Sequence, residues 1–277
     1  MTAVSRADRY AVMGNPIEHS KSPLIHRLFA EQTGQNLVYE AILVDPEGFT
    51  KAVADFTGSA GKGLNITVPF KQDAWHIADE LSERAQRAGA VNTLKIGGDG
   101  KLSGDNTDGI GLVRDLTRNL GLTLSGKQLL VLGAGGAVRG ILAPLLDQHP
   151  SRLLIANRTV ERAQQLATEF SDLGELQGCG FADLKGAHFD IIINATAAGL
   201  QGQVPDLPDG IIDSSSCCYD LMYASEPTAF VRYARQRGVQ AAFDGLGMLV
   251  EQAAESFRIW RGIAPGTAPV IAALRHQ

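Results

Sequence analysis

The sequence predicts an α/β protein of two domains: an N-terminal α/β domain, then a Rossmann-like doubly wound domain, with C-terminal helices that pack back on the first. Residues 1–108 mix helical and strand patterns, residues 109–245 alternate apolar strands with helices around a glycine turn, and residues 246–277 are helical again. Uniformly apolar strands that alternate with helices are typical of a parallel sheet covered on both faces. The chain of 277 residues is long enough for two cores.

The first domain begins with a strand, a helix and a second strand. YAVMGNP (10–16) predicts a short strand that runs into a turn. SPLIHRLFAEQTG (22–34) predicts a helix with Ser22 as its N-cap, a proline at the first helical position and a glycine that stops it. NLVYEAILV (36–44) predicts the second strand.

The segment GLNITVPFK (63–71) alternates apolar and polar residues with the period of a strand. The apolar face carries Leu64, Ile66, Val68 and Phe70. The polar face carries Asn65, Thr67 and Lys71. Pro69 lacks a backbone donor, so we expect the strand to lie at an edge or to end there. The polar face is either a solvated surface or a functional array, and the pattern alone leaves both open.

The remaining predicted elements complete the first domain and then form the second. Residues 90–109 contain two short strands joined by the turn GGDG and followed by a polar loop. Apolar strands are expected in 127–136, 152–158 and 189–199. Helical spacing follows the first of these strands, and VERAQQLATEF (160–170) follows the second. EQAAESFRIWRG is the clearest helix after them.

Composition and charge exclude several classes of function. The net charge of −5 offers no broad basic surface, so we expect no nucleic-acid partner. The N-terminal residues lack a signal-peptide core, and no run approaches the ~18 apolar residues of a membrane span. We therefore expect a cytoplasmic protein that does not enter membranes.

Cysteine and histidine spacing predicts no metal site. The cysteines Cys179, Cys217 and Cys218 form no CxxC pair, and the six histidines show no HxxxH or HExxH pattern. We expect buried reduced thiols.

A glycine turn follows the first apolar strand of the second domain. Its residues are Gly133, Ala134, Gly135, Gly136 and Ala137, with Val138 at the sixth position. Such a turn lets the backbone approach a pyrophosphate, which the N–H groups and dipole of the following helix bind. The valine fits the strict GxGxxG fingerprint only in part, but the position between a buried strand and a helix predicts dinucleotide binding.

The end of the second strand predicts which dinucleotide binds. An acidic residue about 20 positions after the turn would select NAD. This chain has ANRTVER instead, with Arg158 and Arg162 in place to bind a 2′-phosphate through charge-assisted hydrogen bonds. We therefore predict NADP; the alternative is a pair of solvated arginines at a helix start.

Eight segments in order resemble the shikimate dehydrogenase family and cover the chain almost end to end. They are GNPIEHSKSPLIH (14–26), NITVPFK (65–71), GAVNTL (89–94), DNTDG (105–109), GAGGA (133–137), NRT (157–159), YDLMY (219–223) and DGLGMLVEQAA (244–254). The resemblance implies reduction of 3-dehydroshikimate to shikimate with NADPH, in the biosynthesis of chorismate and aromatic amino acids.

The resemblance also implies a catalytic pair and a substrate site. Lys71 matches the catalytic lysine and Asp108 its acidic partner. The residues that match the substrate-binding set, beside this pair, are Ser20, Ser22, Asn65, Thr67, Asn92, Tyr223 and Gln252. Arg27 departs from the family pattern, which commonly has Asn there, and we expect the change to lie at the surface.

On the cofactor side the resemblance covers the glycine turn and several later positions. The matching residues outside the turn are Glu83, Asn157, Arg158, Thr159, Arg162, Leu221, Gly245 and Met248. Thr196 follows the third strand of this domain, and we expect it to line the same groove. Met248 and Gln252 are four residues apart, so they share one helix face. We therefore expect one helix to contact both cofactor and substrate.

Three rival interpretations remain. One is a quinate/shikimate dehydrogenase that also uses NAD, and another is a nucleotide-sensing module without turnover. The third is a methyltransferase that uses the glycine turn for its adenosyl donor, which the arginines after the second strand disfavour. The sequence leaves open whether the protein is a monomer or a homodimer.

Overall fold

The computed structural model describes residues 7–276, apart from the side chains of residues 200 and 201. The chain forms two compact units, and both are α/β, which confirms the predicted fold class. One unit comprises the described residues up to Gly111 together with Val250–His276, and the other comprises Leu112–Leu249. The chain from Val250 to His276 thus belongs to the first unit.

The first unit is built on a mixed sheet of six strands. Its strands are β1 (Asp8–Gly14), β2 (Leu37–Leu43), β3 (Gly61–Ile66), β4 (Glu80–Leu81), β5 (Thr93–Ile96) and β6 (Leu102–Asp105). They lie in the order β2-β1-β3-β5-β6-β4. Its helices up to the unit boundary are α1 (Ser22–Thr33), α2 (Phe49–Gly58), α3 (Lys71–Ile77), α4 (Glu83–Ala88) and α5 (Asp108–Arg114). Strand β1 is parallel to both its neighbours, whereas β5 is antiparallel to β3 and β6.

The strand expected over residues 63–71 ends earlier than its pattern predicts. Strand β3 stops at Ile66, and a turn follows in which the Phe70 N–H donates to the Thr67 carbonyl at 3.0 Å. Phe70 is buried, but Val68 is 62% exposed, so the prediction that it shares the apolar face is wrong. The reason is that this turn breaks the strand period before Pro69. Strand β3 also lies inside the sheet, not at its edge.

Helix α1 begins one residue earlier than expected. Ser22 is its first residue and Lys21 occupies the N-cap position, so the prediction of a Ser22 cap is wrong. The Ser22 N–H instead donates to the Ser20 hydroxyl at 3.3 Å. Gly34 ends the helix as predicted, with a left-handed φ of 65° and its N–H bonded to the Ala30 carbonyl.

The second unit contains the predicted parallel sheet. Its strands are β7 (Gln128–Leu132), β8 (Arg152–Ala156), β9 (Leu176–Cys179), β10 (Ile191–Asn194), β11 (Cys217–Asp220) and β12 (Ala242–Phe243). They are all parallel, in the order β12-β11-β10-β7-β8-β9. Its helices are α6 (Gly136–Leu146), α7 (Val160–Glu169) and α8 (Ala229–Gln236). Apolar side chains cover both faces of the sheet and form two core clusters.

The chain ends with α9 (Leu246–Arg261) and α10 (Ala268–Arg275). Trp260 of α9 anchors this segment to the first sheet, because its indole N–H donates to the Leu94 carbonyl at 3.0 Å. Gly63 makes the approach possible, since a Cβ there would lie 2.4 Å from the indole nitrogen. Among the described residues, no helix combines the length and apolar character needed to cross a bilayer.

Candidate active site

Lys71 and Asp108 stand at the starts of two helices in the first unit and contact each other. Lys71 begins α3 and Asp108 begins α5, and the Lys71 amine lies 2.5 Å from Asp108 Oδ2. Their side chains are 25% and 11% exposed, so the pair is mostly shielded from water but remains accessible. The Asp108 N–H donates to Asn106 Oδ1 at 3.1 Å, which holds the carboxylate at the helix start.

Asn92 connects this pair to the C-terminal helix α9. Its Nδ2 group lies 2.8 Å from Asp108 Oδ1, 2.9 Å from the Thr107 hydroxyl and 3.3 Å from Gln252 Oε1. Its Oδ1 accepts from the Thr107 N–H at 2.9 Å. Because a backbone N–H can only donate, this bond fixes which end of the Asn92 amide faces Asp108.

Asn65 of β3 is buried and is the centre of a second group of hydrogen bonds. Its Nδ2 group lies 3.0 Å from the Ser256 hydroxyl and 3.2 Å from both the Thr93 hydroxyl and the Asn92 carbonyl. Its Oδ1 accepts from the Tyr39 hydroxyl at 2.8 Å. The structure thus brings together five predicted site residues: Lys71, Asp108, Asn92, Gln252 and Asn65.

The predicted serine pair lies at the start of α1, and Thr67 lies in the turn after β3. Ser22 is buried, and Ser20 lies beside it because the Ser22 N–H donates to the Ser20 hydroxyl. Thr67 packs closely over Gly14, where a Cβ would lie 2.3 Å from the threonine methyl group. Glycine at position 14 therefore lets the turn after β3 approach β1.

The polar residues of this network that sequence reasoning missed include Tyr39, Thr107 and Ser256. Two of them could have been found from the sequence, because Thr107 directly precedes the predicted site residue Asp108 and Ser256 is one helical turn after the predicted site residue Gln252. Tyr39 could not have been found in this way, since it stands in a mostly apolar strand and contacts Asn65 only because the fold brings the two residues together.

The glycine turn in the second unit has the geometry that a pyrophosphate needs. Gly133 has a left-handed φ of 110°, and a Cβ there would lie 3.0 Å from the Ala195 carbonyl oxygen. A Cβ on Gly135 or Gly136 would meet no atom within 4 Å, so open space lies beside the turn. Helix α6 starts at Gly136 without a side-chain cap, which leaves its first N–H groups and dipole to an anion. The residues fit a dinucleotide phosphate.

The residues after β8 suit a second phosphate group. Asn157 Nδ2 donates to the Thr159 carbonyl at 2.8 Å and so shapes the turn before α7. The side chains of Arg158 and Arg162 are exposed, and within residues 7–276 neither makes an ion pair or a side-chain hydrogen bond. Two cationic groups near a helix start favour the 2′-phosphate of NADP.

Three further predicted cofactor residues gather at the ends of β10 and β11. The Thr196 hydroxyl donates to Asn194 Oδ1 at 2.8 Å, and the Leu221 N–H donates to the Asn194 carbonyl at 2.9 Å. A Cβ on Gly245 would lie 2.3 Å from the Leu221 carbonyl oxygen, so only glycine permits this contact. Asp220, buried beneath them, accepts from Asn194 Nδ2 at 3.0 Å, and its burial raises the pKa of its carboxyl.

Three predicted site residues lie apart from these clusters. Glu83 is exposed at the start of α4 in the first unit. Tyr223 is in the second unit, where burial raises the pKa of its phenol. Met248 packs against the apolar core of the second unit. Their roles toward cofactor and substrate stay predictions. Across the described residues, no group of three His, Cys, Asp or Glu side chains has a metal-binding arrangement.

Three family models match this chain, and together they span most of it. "Shikimate dehydrogenase substrate binding domain" matches residues 12–94, and "Shikimate / quinate 5-dehydrogenase" matches residues 115–201. "Shikimate 5'-dehydrogenase C-terminal domain" matches residues 245–275. The chain belongs to the shikimate dehydrogenase family. This membership confirms the resemblance that the eight sequence segments indicated.

Individual proteins match over nearly the full length of this chain. A shikimate dehydrogenase (NADP(+)) of Alkalilimnicola ehrlichii is 61% identical, over 98% of this chain and 99% of that protein. The crystal structure of an Ael1 enzyme from Pseudomonas putida is 48% identical, with a TM-score of 0.91 over 97% of this chain and 98% of that one. The shikimate 5-dehydrogenase from Thermus thermophilus, solved with NADP(H) and shikimate, is 33% identical, with a TM-score of 0.86 over 97% and 99%.

Proposed function

We propose that this protein catalyses the reversible reduction of 3-dehydroshikimate to shikimate with NADPH, a step in the biosynthesis of chorismate and aromatic amino acids. The observation that carries the proposal is the 2.5 Å contact between the Lys71 amine and Asp108 Oδ2, inside a network of amide and hydroxyl groups. The relatives named as NADP-dependent shikimate dehydrogenases support the same activity.

Lys71 is the proton donor in this proposal. Reduction of a ketone needs a hydride at carbon and a proton at oxygen, and NADPH supplies the hydride when bound. The Lys71 ammonium donates the proton to the carbonyl oxygen and takes it back in the reverse direction. Asp108 holds the ammonium through Oδ2, while its Oδ1 is held by Asn92. The carboxylate therefore fixes the position of the acid.

The polar side chains of the first unit bind the ring hydroxyls and the carboxylate of the substrate. Asn65, Thr67 and Asn92 serve the hydroxyls, and Ser20 and Ser22 serve the carboxylate, with Tyr223 and Gln252 completing the set. Such an array rejects an analogue that lacks a hydroxyl, because a buried donor or acceptor would be left without a partner.

The second unit binds NADP. Gly133–Ala137 hold the pyrophosphate at the start of α6, and Asn157, Arg158, Thr159 and Arg162 hold the adenosine 2′-phosphate. Thr196, Leu221, Gly245 and Met248 lie on the nicotinamide side, and Glu83 is assigned to the cofactor through the resemblance.

The substrate-binding domain comprises residues 1–108 together with 246–277, and the NADP-binding domain comprises residues 109–245. We place the protein in the cytoplasm as a monomer or homodimer.

Quinate oxidation with NAD is the second candidate. The description of the family model that matches residues 115–201 names quinate beside shikimate. The two exposed arginines after β8 favour NADP and so favour the first candidate.

The test is the initial rate of NADPH oxidation with 3-dehydroshikimate, followed as absorbance at 340 nm. The proposal expects steady turnover. A folded protein that binds NADPH but leaves the absorbance unchanged would contradict it and favour a nucleotide-sensing module.

A further inference from the structure

Tyr39 of β2 contacts a side chain that is assigned to substrate binding. Its hydroxyl lies 2.8 Å from Oδ1 of Asn65, which is one of the residues assigned to the ring hydroxyls.

The partners of Asn65 determine how its amide is oriented. Asn65 Nδ2 lies 3.2 Å from the Asn92 backbone carbonyl, and a carbonyl can only accept a hydrogen bond. The amide nitrogen must therefore face this carbonyl and the neighbouring Ser256 and Thr93 hydroxyls. The amide oxygen then faces Tyr39, and the phenol must donate its proton to it.

The neighbours of Tyr39 keep its ring in place and its proton on the oxygen. The His26 ring stacks on it with centroids 4.2 Å apart and planes 6° from parallel. Burial raises the pKa of Tyr39 well above its usual range and lowers the pKa of His26 to about 3. The phenol thus stays protonated and the stacked imidazole stays neutral near neutral pH.

We propose that Tyr39 is a positioning residue that holds the Asn65 amide for substrate binding. The Nδ2 protons of Asn65 are directed to partners inside the protein, so its remaining capacity is the second lone pair of Oδ1. That lone pair accepts a hydrogen bond from a ring hydroxyl of the polyhydroxy acid. This inference rests on the proposed shikimate dehydrogenase activity.

Tyr39→Phe removes only the phenol oxygen and tests the proposal. We expect the KM for shikimate to rise about 3–10-fold, the range for one net hydrogen bond, while kcat and the KM for NADP change less than about twofold. The matched control is Tyr10→Phe. Tyr10 is the register partner of Tyr39 on β1, and its hydroxyl accepts from Arg261 instead. The control should keep the wild-type KM, and thermal unfolding of both variants checks that they are folded.

A double-mutant cycle tests whether Tyr39 acts through Asn65. Adding Tyr39→Phe to Asn65→Ala should raise the KM for shikimate no further, because the amide that Tyr39 holds is already absent. An unchanged KM in Tyr39→Phe, or effects of the two substitutions that multiply, would overturn the proposal. A wild-type protein that does not turn over shikimate with NADP would overturn the proposed function, and this inference with it.

Discussion

The Lys71 amine lies 2.5 Å from Asp108 Oδ2, although 37 positions separate the two residues in the chain. Each residue begins a helix, so both side chains project from well-defined backbone positions. Asn92 holds the second oxygen of the carboxylate at 2.8 Å. This contact supports the proposal that Lys71 is the acid of the reaction and that Asp108 positions it.

Replacing Lys71 with alanine should lower kcat by about 10²–10⁴-fold, the usual contribution of a general acid, with a much smaller change in KM. Steady-state rates with shikimate and NADP measure it. The matched control is Lys51→Ala, which breaks an exposed 2.5 Å contact with Asp55 on α2 and should leave kcat unchanged. Near-normal turnover in Lys71→Ala would remove Lys71 from this role.

Asp108→Asn keeps the shape of the side chain and removes its charge. We expect kcat to fall by at least about tenfold, since a hydrogen bond to a charged group contributes about 1.5–3 kcal/mol. The same assay measures it, with circular dichroism as the check on folding. If kcat and KM both stay at wild-type values, Asp108 acts only as a structural residue at the start of α5.

The arginines after β8 should determine the choice of cofactor. Arg158→Ala and Arg162→Ala should each raise the KM for NADP about tenfold and leave the KM for NAD unchanged, because only NADP carries the 2′-phosphate. The control is Arg237→Ala, whose guanidinium stacks on Tyr233 with 3.5 Å to the ring centroid. Equal effects on both cofactors would contradict the phosphate assignment.

The buried His26 should make folding stability depend on pH. Burial lowers its pKa to about 3 in the folded state, whereas the unfolded chain binds the proton near pH 6.5. The free energy of unfolding is therefore not reduced by His26 above about pH 6.5. Below this pH it declines as the pH falls toward 3, and at pH 5 it is lower by about 2 kcal/mol. Urea unfolding of the wild type and His26→Gln between pH 5 and 7.5 measures it. The variant should lose this part of the slope, and equal slopes would contradict the assignment.

The cysteines should differ in their reactivity in the folded protein. Burial raises the pKa of Cys217 to about 11 and that of Cys218 to about 12, while Cys179 is only half-buried. Iodoacetamide at pH 8 should therefore modify Cys179 first, because the thiolate is the reactive form. Peptide mass spectrometry gives the order of labelling. Labelling of Cys217 or Cys218 ahead of Cys179 would contradict it.

Local patterns predicted most of the second domain. The apolar strands β7, β8 and β10 and the glycine turn carry their signals within a few residues, so each was recognisable alone. Strands β9, β11 and β12 were missed because LQGC and CCYD contain no apolar run like that of β10, and β12 has only two residues. The turn after Ile66 was missed because the strand period continued in the sequence beyond the strand's end.

Some features of the candidate site could be predicted from short sequence segments, whereas others depend on contacts between distant parts of the chain. The lysine, the aspartate and the two asparagines stand in segments that resemble the family. Their contacts with Tyr39 and Ser256 join residues that are 26 and 191 positions from Asn65. Pairings at such separations depend on the whole fold, and no local pattern in one sequence predicts them.

The most direct test of the central claim is a comparison of kcat/KM for shikimate and quinate, each with NADP and with NAD. We expect shikimate with NADP to have the highest value of the four, and we expect replacement of either shikimate or NADP to lower it. A higher value for quinate, or for NAD, would contradict it.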